Sequence, residues 1–470
     1  MEGERVIKLR HEQPSLWTGI LKEDLDPLWE PWMRVADALL EDAALVDQVY
    51  EAQGRRHPKS RSRGREQTPA EVALRMLLLK HVRNWSYEVV EREVKANLVY
   101  RSFCRIGMEK VPDGKTLGKI GQALGADVIA EMHARLVKLA QEKGVVRGRK
   151  MRTDTTVVET NIHYPTDSSL LQDGTRVLTR GMKKIESQLG GLKKRVRNRM
   201  RSVSKRVIAI AYAARHKGEA GEKKRKQQYR ELLRLTRQIL NDTKRVVAEV
   251  EGLSRRRRAQ VKDVQQQLQT MADRLRQVVK QTKGRIFGGI TQLPEKLFSL
   301  FESYTEIIRK GKAGKPNEFG KLVQIQEAEN QIVTHYDVFS ERPSDRHLLV
   351  GAVEAHQKIL GRVPELAAAD PGYYSQDQEK AAQAMGVKYV SVPNRSTRSA
   401  ERRKLEKRRW FKNGQRWRTG SEGRISALKR RHGLDRCRYR GWDGFQRWVG
   451  LGVMADNLIQ IGRCLALKTT

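Results

Sequence analysis

Met151-Arg-Thr-Asp-Thr-Thr-Val-Val158 is the point where the chain changes period. Its β-branched residues predict a strand, and Asp154 sits in the middle of it, where that residue type is disfavoured. Upstream the spacing is helical. Thr68-Pro-Ala-Glu71 reads as a capping box opening the apolar run Val72–Leu79, Ser86 as the cap of a following helix, and Pro112-Asp-Gly114 as a turn. Ile129, Met132, Leu136 and Leu139 then repeat at helical spacing up to Gly144. Downstream, 319–327 and 331–339 read as strands joined by a turn at Asn330, 345–361 as an amphipathic helix, and Leu366–Asp370 as a short buried strand. A helix capped at Ser375-Gln-Asp-Gln378, a strand at 387–392 and a last helix at 441–465 follow. The order is a strand, a long insert, then ββαβαβ. This predicts an α/β fold: a mixed sheet in which an antiparallel pair feeds parallel strands, preceded by an all-α region over 1–145.

The insert, 176–318, carries its own pattern. Ile185, Leu189, Leu192, Val196, Met200, Val203, Val207 and Ile210 keep a narrow apolar seam, as do Val261, Val264, Leu268, Met271, Leu275 and Val278. With a looser series from Leu232 to Leu253 between them, they predict three coiled-coil-like arms, broken near Gly218–Gly221 and near Gly252. The surface left over is basic. Residues 176–285 hold 33 Lys and Arg against 9 Asp and Glu, the larger part of a net charge of +39. Two smaller basic runs lie at Arg395–Arg440 and at Arg55–Arg65, the latter reading as a flexible loop. Such an excess calls for a polyanion, and DNA phosphates are the leading one, bound with steep salt dependence. The insert is expected either to clamp DNA or to pair with the insert of a second subunit.

Composition excludes other classes. Apolar residues make up 38 % of the chain and charged ones 32 %, too much periodicity for disorder and too much charge for a membrane span. The first residues hold no apolar signal core. Cys104, Cys437 and Cys464 lie far apart without a C-x-x-C pair, so neither a disulfide framework nor a zinc site is expected, and a reducing cytoplasm fits.

Three carboxylates stand out by position. Asp154 interrupts its strand, Asp370 ends a strand of small residues at a Pro-Gly turn, and Glu422 opens a helix stopped by Gly433. Arg418 precedes Glu422 by one helical turn, and Lys429 follows it two turns later on the same face. Adjacent parallel strands would bring Asp154 beside Asp370. Carboxylates converging in a basic setting suit one or two Mg²⁺ ions, with Mn²⁺ as substitute, and hence phosphodiester chemistry. Asp154 is the candidate bridge between two ions, Asp370 and Glu422 the outer ligands, and Arg418 and Lys429 the phosphate binders.

Taken in order, these residues resemble the insertion-sequence transposases of the DDE type. Arg418, Glu422 and Lys429 match the R, E and K of that family's Y-x2-R-x3-E-x6-K signature, while Gln415 occupies the tyrosine position. The stretches from Met151 and from Ala369 resemble its two aspartate motifs, and Thr68–Gly107 is similar to its helical end-binding domain. The resemblance implies an RNase H-like catalytic core split into 146–175 and 319–440, a helical DNA-binding domain over 1–145, the insertion 176–318 and a C-terminal helix, 441–470, packed on the core. It implies hydrolysis at the element's ends and joining of the freed 3′-hydroxyls to target DNA, with Asp154, Asp370 and Glu422 catalytic. The expected partners are double-stranded terminal inverted repeats, target DNA and a second subunit in a paired-end homodimer, in a bacterial cytoplasm at the nucleoid. The competing readings are an inactive or domesticated DNA-binding relative and a structure-specific nuclease on the same core. Tyr373, Tyr374, Trp410, Trp417 and Trp442 are read as either base-stacking or core residues, and Glu159, Asp167 and Asp173 as surface or turn residues.

Overall fold

The computed structural model describes residues 7–11, 22–55, 67–216, 218–309 and 316–469; the basic run at Arg55–Arg65 lies, beyond Arg55, outside them. The chain forms two compact units, one from Met1–Asn161 with Ile308–Thr470, the other from Ile162–Ile307.

After a short helical turn at Lys22–Leu25, the first unit runs through helices Pro31–Leu40 (α1), Ala43–Gly54 (α2), Ala70–Val82 (α3), Tyr87–Ala96 (α4), Leu98–Phe103 (α5) and Gly114–Glu142 (α6). Every residue of α3 is buried, including Arg75, which is tied to Asp37 (2.6 Å) and Glu71 (2.9 Å). The expected capping box at its start does not form. Pro69 takes the N-cap position, so Thr68 stands one residue too early. The amides of Ala70 and Glu71 donate instead to the carbonyls of Lys8 and Leu9. The cap read at Ser86 forms, with Ser86 Oγ accepting from Val89, and at the turn read over Pro112-Asp-Gly114 Asp113 caps the next helix by accepting from Thr116. The helix expected before Gly144 is longer than its apolar repeat, since α6 runs on through a kink at Gly125 (φ 73°).

The sheet holds Lys150–Thr160 (β1), Glu306–Arg309 (β2), Asn317–Glu327 (β3), Val333–Val338 (β4), Leu366–Ala368 (β5), Tyr389–Ser391 (β6) and Arg436–Cys437 (β7). Its order is β2-β3-β1-β5-β6, with β4 on β3 and β7 on β1. The β1–β3 and β3–β4 pairs are antiparallel; β1–β5, β5–β6 and β1–β7 are parallel. β1 is thus central, as its β-branched composition requires. Between strands lie Leu349–Leu360 (α11), Gln376–Ala384 (α12), Ala400–Glu406 (α13), Arg409–Arg418 (α14) and Gly420–His432 (α15). Ser375 makes no side-chain cap on α12; Gln378 instead accepts from the amide of Val350 (3.1 Å).

The last helix, Gly441–Thr469 (α16), packs against α1, α3 and α6 and also touches β4. Leu451, Met454, Leu458 and Ile461 join the core of the N-terminal helices, each contributing roughly 1.5–3 kcal/mol by burial. Asn457 secures the join: its carboxamide accepts from the Val333 amide (2.9 Å) and donates to the Val333 carbonyl (2.8 Å), pairing the edge of β4 as another strand would.

The second unit is helical: Asp167–Gln188 (α7), Met200–Ala213 (α8), Glu219–Glu251 (α9) and Arg255–Phe287 (α10). The seam residues from Ile185 to Ile210 and from Val261 to Val278 meet in one core with Leu232, Ile239, Val246 and Val250. The first expected arm is two helices rather than one, because Gly190 and Gly191 take φ of 73° and 138° and end α7. Asp167 is no surface residue either. It lies in the first turn of α7, buried, in an ion pair with Arg285 (2.9 Å).

Candidate active site

Asp154 lies half-way along β1, opposite Ile325 of β3. Its side chain is 14 % exposed. Oδ1 accepts from the Thr155 amide (2.8 Å), and Oδ2 accepts from Ser421 Oγ (3.3 Å) and stands 3.6 Å from Arg418 Nη1. The other end of the same guanidinium donates to Glu422 (3.0 Å), whose side chain is 64 % exposed. Arg418 therefore reaches two carboxylates that the chain holds far apart. Lys429 lies in the last turn of α15, partly buried.

Two residues fix where Arg418 points. Arg152, two positions before Asp154 and on the opposite face of β1 from its immediate neighbours, pairs with buried Glu327 (2.6 Å) and donates to the Trp417 carbonyl (2.6 Å) with its guanidinium 5.0 Å above the Trp417 ring. Burial pushes the Glu327 carboxyl up and Arg152 pulls it back down. Gly420 makes this clamp possible, since a Cβ there would run into the guanidinium. Gln415 is the second. Its amide donates to the carbonyls of Ala369 (3.2 Å) and Ser391 (2.5 Å), at the ends of β5 and β6. Gln415 thus ties α14 to the sheet.

Asp370 lies two residues past β5 and caps a short 3-10 turn, Pro371–Tyr373, through the Gly372 amide (2.9 Å). β1 and β5 pair in register up to Arg152 and Ala368. The pairing stops two residues short of Asp154 and Asp370, whose charges both act on the Tyr373 phenol. The Tyr373 phenol is buried, so it belongs to the core. Burial lifts it well above the ordinary tyrosine range, and the charges of Asp154, Asp345 and Asp370 lift it further. Asp345 is the carboxylate that sequence reading passed over. It opens the 3-10 turn Asp345–His347 before α11 and looks in sequence like an ordinary helix-start acid. Only the packing of its turn against Pro371–Tyr373 brings it to this place.

Among the described residues, no group of three or more His, Cys, Asp or Glu stands close enough to hold a metal ion as placed. Asp154 and Glu422 meet instead through a cation, the Arg418 guanidinium. The donor set fits a hard divalent ion in kind, because Asp154, Asp370, Glu422 and Asp345 offer carboxylate oxygen alone and a positive group already sits between two of them. The aromatic candidates are spent on packing: Trp410 lies on Tyr389, Trp417 under Arg152 and Trp442 on Phe445. Glu159 pairs with Arg436 (3.2 Å) and Asp173 with Arg176 (2.5 Å).

Residues 30–122 match the family described as Transposase domain (DUF772), and residues 378–462 match the Transposase DDE domain. Over these two segments the chain is similar to transposases, in the second to those of the DDE type. The first matched segment covers α1 to the start of α6. The second covers Arg418, Glu422 and Lys429, while Asp154 and Asp370 lie outside both. No curated protein and no solved structure matches the chain. No helix among the described residues is long and apolar enough to cross a membrane.

Proposed function

We propose that this transposase hydrolyses phosphodiester bonds at the ends of its element and joins the 3′-hydroxyls to target DNA, on an RNase H-like core split by the helical insertion. The carrying observation is the single guanidinium of Arg418 shared by Asp154 of β1 and Glu422 of α15. In this reading Asp154, Asp370 and Glu422 hold Mg²⁺, which when bound activates the attacking oxygen and stabilises the leaving one. The chain's own residues position the DNA. Arg418 offers the planar donor fork suited to a non-bridging phosphate oxygen, and Lys429 adds a point charge on the same helix face. Arg152 and Gln415 keep α14 from drifting off the sheet. Asp345 joins the acidic set as a fourth carboxylate. The two ends of the element call for a paired-end homodimer.

The test is cleavage of a duplex carrying the element's end in Mg²⁺. Asp154→Ala, Asp370→Ala and Glu422→Ala are each expected to lower the rate by at least a hundredfold while duplex binding persists. Cutting at the unaltered rate by any of the three removes that residue from the proposal. Strand joining by the native chain separates a transposase from a nuclease that only cuts.

A further inference from the structure

A second basic site lies in the first unit. Tyr87 and Tyr439 stack in parallel, 5.9 Å apart, with their hydroxyls hydrogen-bonded (2.7 Å). They floor a cleft of about 400 Å³. Lys115 and Lys119, one turn apart on α6, line it, as do Arg438 and Arg440, in the link between β7 and α16. All four basic residues are exposed. Glu88 is the carboxylate on the lining. Gly114 and Gly121 let α6 lie close against Tyr87, where a Cβ would press at 3.0 Å. The cleft draws basic residues from each segment matched to a transposase family.

Behind the floor is an independent sign of an anionic partner. Lys80 is 2 % exposed, with its ammonium 4.8 Å from the Tyr87 ring and 5.0 Å from the rings of Tyr439 and Trp448. Its hydrogen-bond partner is a histidine, His81 (3.4 Å), not a carboxylate. A buried ammonium ordinarily has a paired anion. Burial, and then Arg438, lower its proton affinity to a pKa of about 7.

We infer that this cleft is a binding site for the phosphate backbone of duplex DNA, gripped by Lys115 and Lys119 and by Arg438 and Arg440. Two short runs of positive charge at an aromatic floor suit a chain of phosphates better than one small anion. Contacts of this kind set position and affinity and carry no base sequence. The inference rests on the proposed transposase function, since it takes DNA as the polyanion.

The experiment measures binding of the full chain to an end-containing duplex and to an unrelated duplex across a salt series. The variants are Lys119→Gln with Arg440→Gln, and, as an equal charge change elsewhere, Lys358→Gln with Lys388→Gln. The cleft pair is expected to lower the slope of log K against log salt by about 0.9 for each phosphate left unneutralised, hence by roughly 2, equally on both duplexes. The control pair is expected to leave the slope as it is. An unchanged slope in the cleft pair, or an equal fall in the control pair, overturns the site. Should the native chain fail to bind either duplex at low salt, the transposase reading itself falls. The four residues are exposed, so thermal unfolding of each variant verifies the fold, and Lys115→Gln with Arg438→Gln repeats the test from neighbouring positions.

Discussion

Lys80 is the residue whose chemistry departs furthest from its type. Its amine holds a proton in the folded chain only up to pH about 7, against 10.5 ordinarily, because burial disfavours the charge. Between these values the unfolded chain binds a proton that the folded chain does not. Stability therefore rises with pH across that window, by roughly 1.4 kcal/mol per pH unit, and the penalty stands in full below it. Lys80→Met is expected to unfold at a higher temperature than the native chain at pH 7, the gap closing towards pH 10. A gap independent of pH would show that the amine is not titrating there. Asp345 is the other residue to test. If it belongs to the proposed acidic set, Asp345→Asn lowers cleavage by at least tenfold while leaving duplex affinity unaltered; full activity assigns it to the turn alone.

At the scale of elements, the join between β1 and α14 decides whether the proposed site holds its shape. Arg152 and Glu327 are both buried, and removing one partner of such a pair costs about 3–5 kcal/mol. Arg152→Met is expected to lose that much in denaturant unfolding, and Arg152→Met with Glu327→Gln to recover part of it. No recovery in the double variant would mean that the missing bond to Trp417, not the stranded carboxylate, carries the cost. Gln415→Tyr tests the other anchor. The Gln415 amide fills a site between the ends of β5 and β6, and a Cβ at neighbouring Gly414 would already press on Ser391. Substitution by Tyr is expected to destabilise by about 1–3 kcal/mol through the lost bonds to the two carbonyls and the crowding. A neutral result would show that α14 moves freely at this end.

For the whole molecule, the charge and the core divide differently. The helices of Ile162–Ile307 bury their own apolar seams, so this stretch expressed alone is expected to unfold cooperatively by circular dichroism; a gradual loss of helix would show that the seams need the rest of the chain. A footprint on the element's ends with and without 176–318 assigns end recognition to the insertion if protection is lost, and to the N-terminal helices if it remains.

The sequence by itself determined most of the elements and the mixed character of the sheet, but not β2, β7, α13 or α14. Apolar period is a local property, and the strands around Asp154 and the helix around Glu422 announce themselves by β-branching, by a C-terminal glycine and by spacing. The last helix was equally legible in Phe445, Trp448, Leu451, Met454, Leu458 and Ile461, all buried. Caps were read less well: Thr68 and Ser375 have the right type but not the right geometry, because Pro69 takes the N-cap position at the first and Gln378 bonds the distant Val350 amide at the second. Tertiary structure alone decided that α16 completes the core of the N-terminal helices, that Asp345 comes up beside Tyr373, that Gln415 pins a helix, and that Tyr87 meets Tyr439. The reason is the same in each case. Sequence spacing specifies which face of an element is apolar, but the partner of that face lies hundreds of residues away, and only packing selects it.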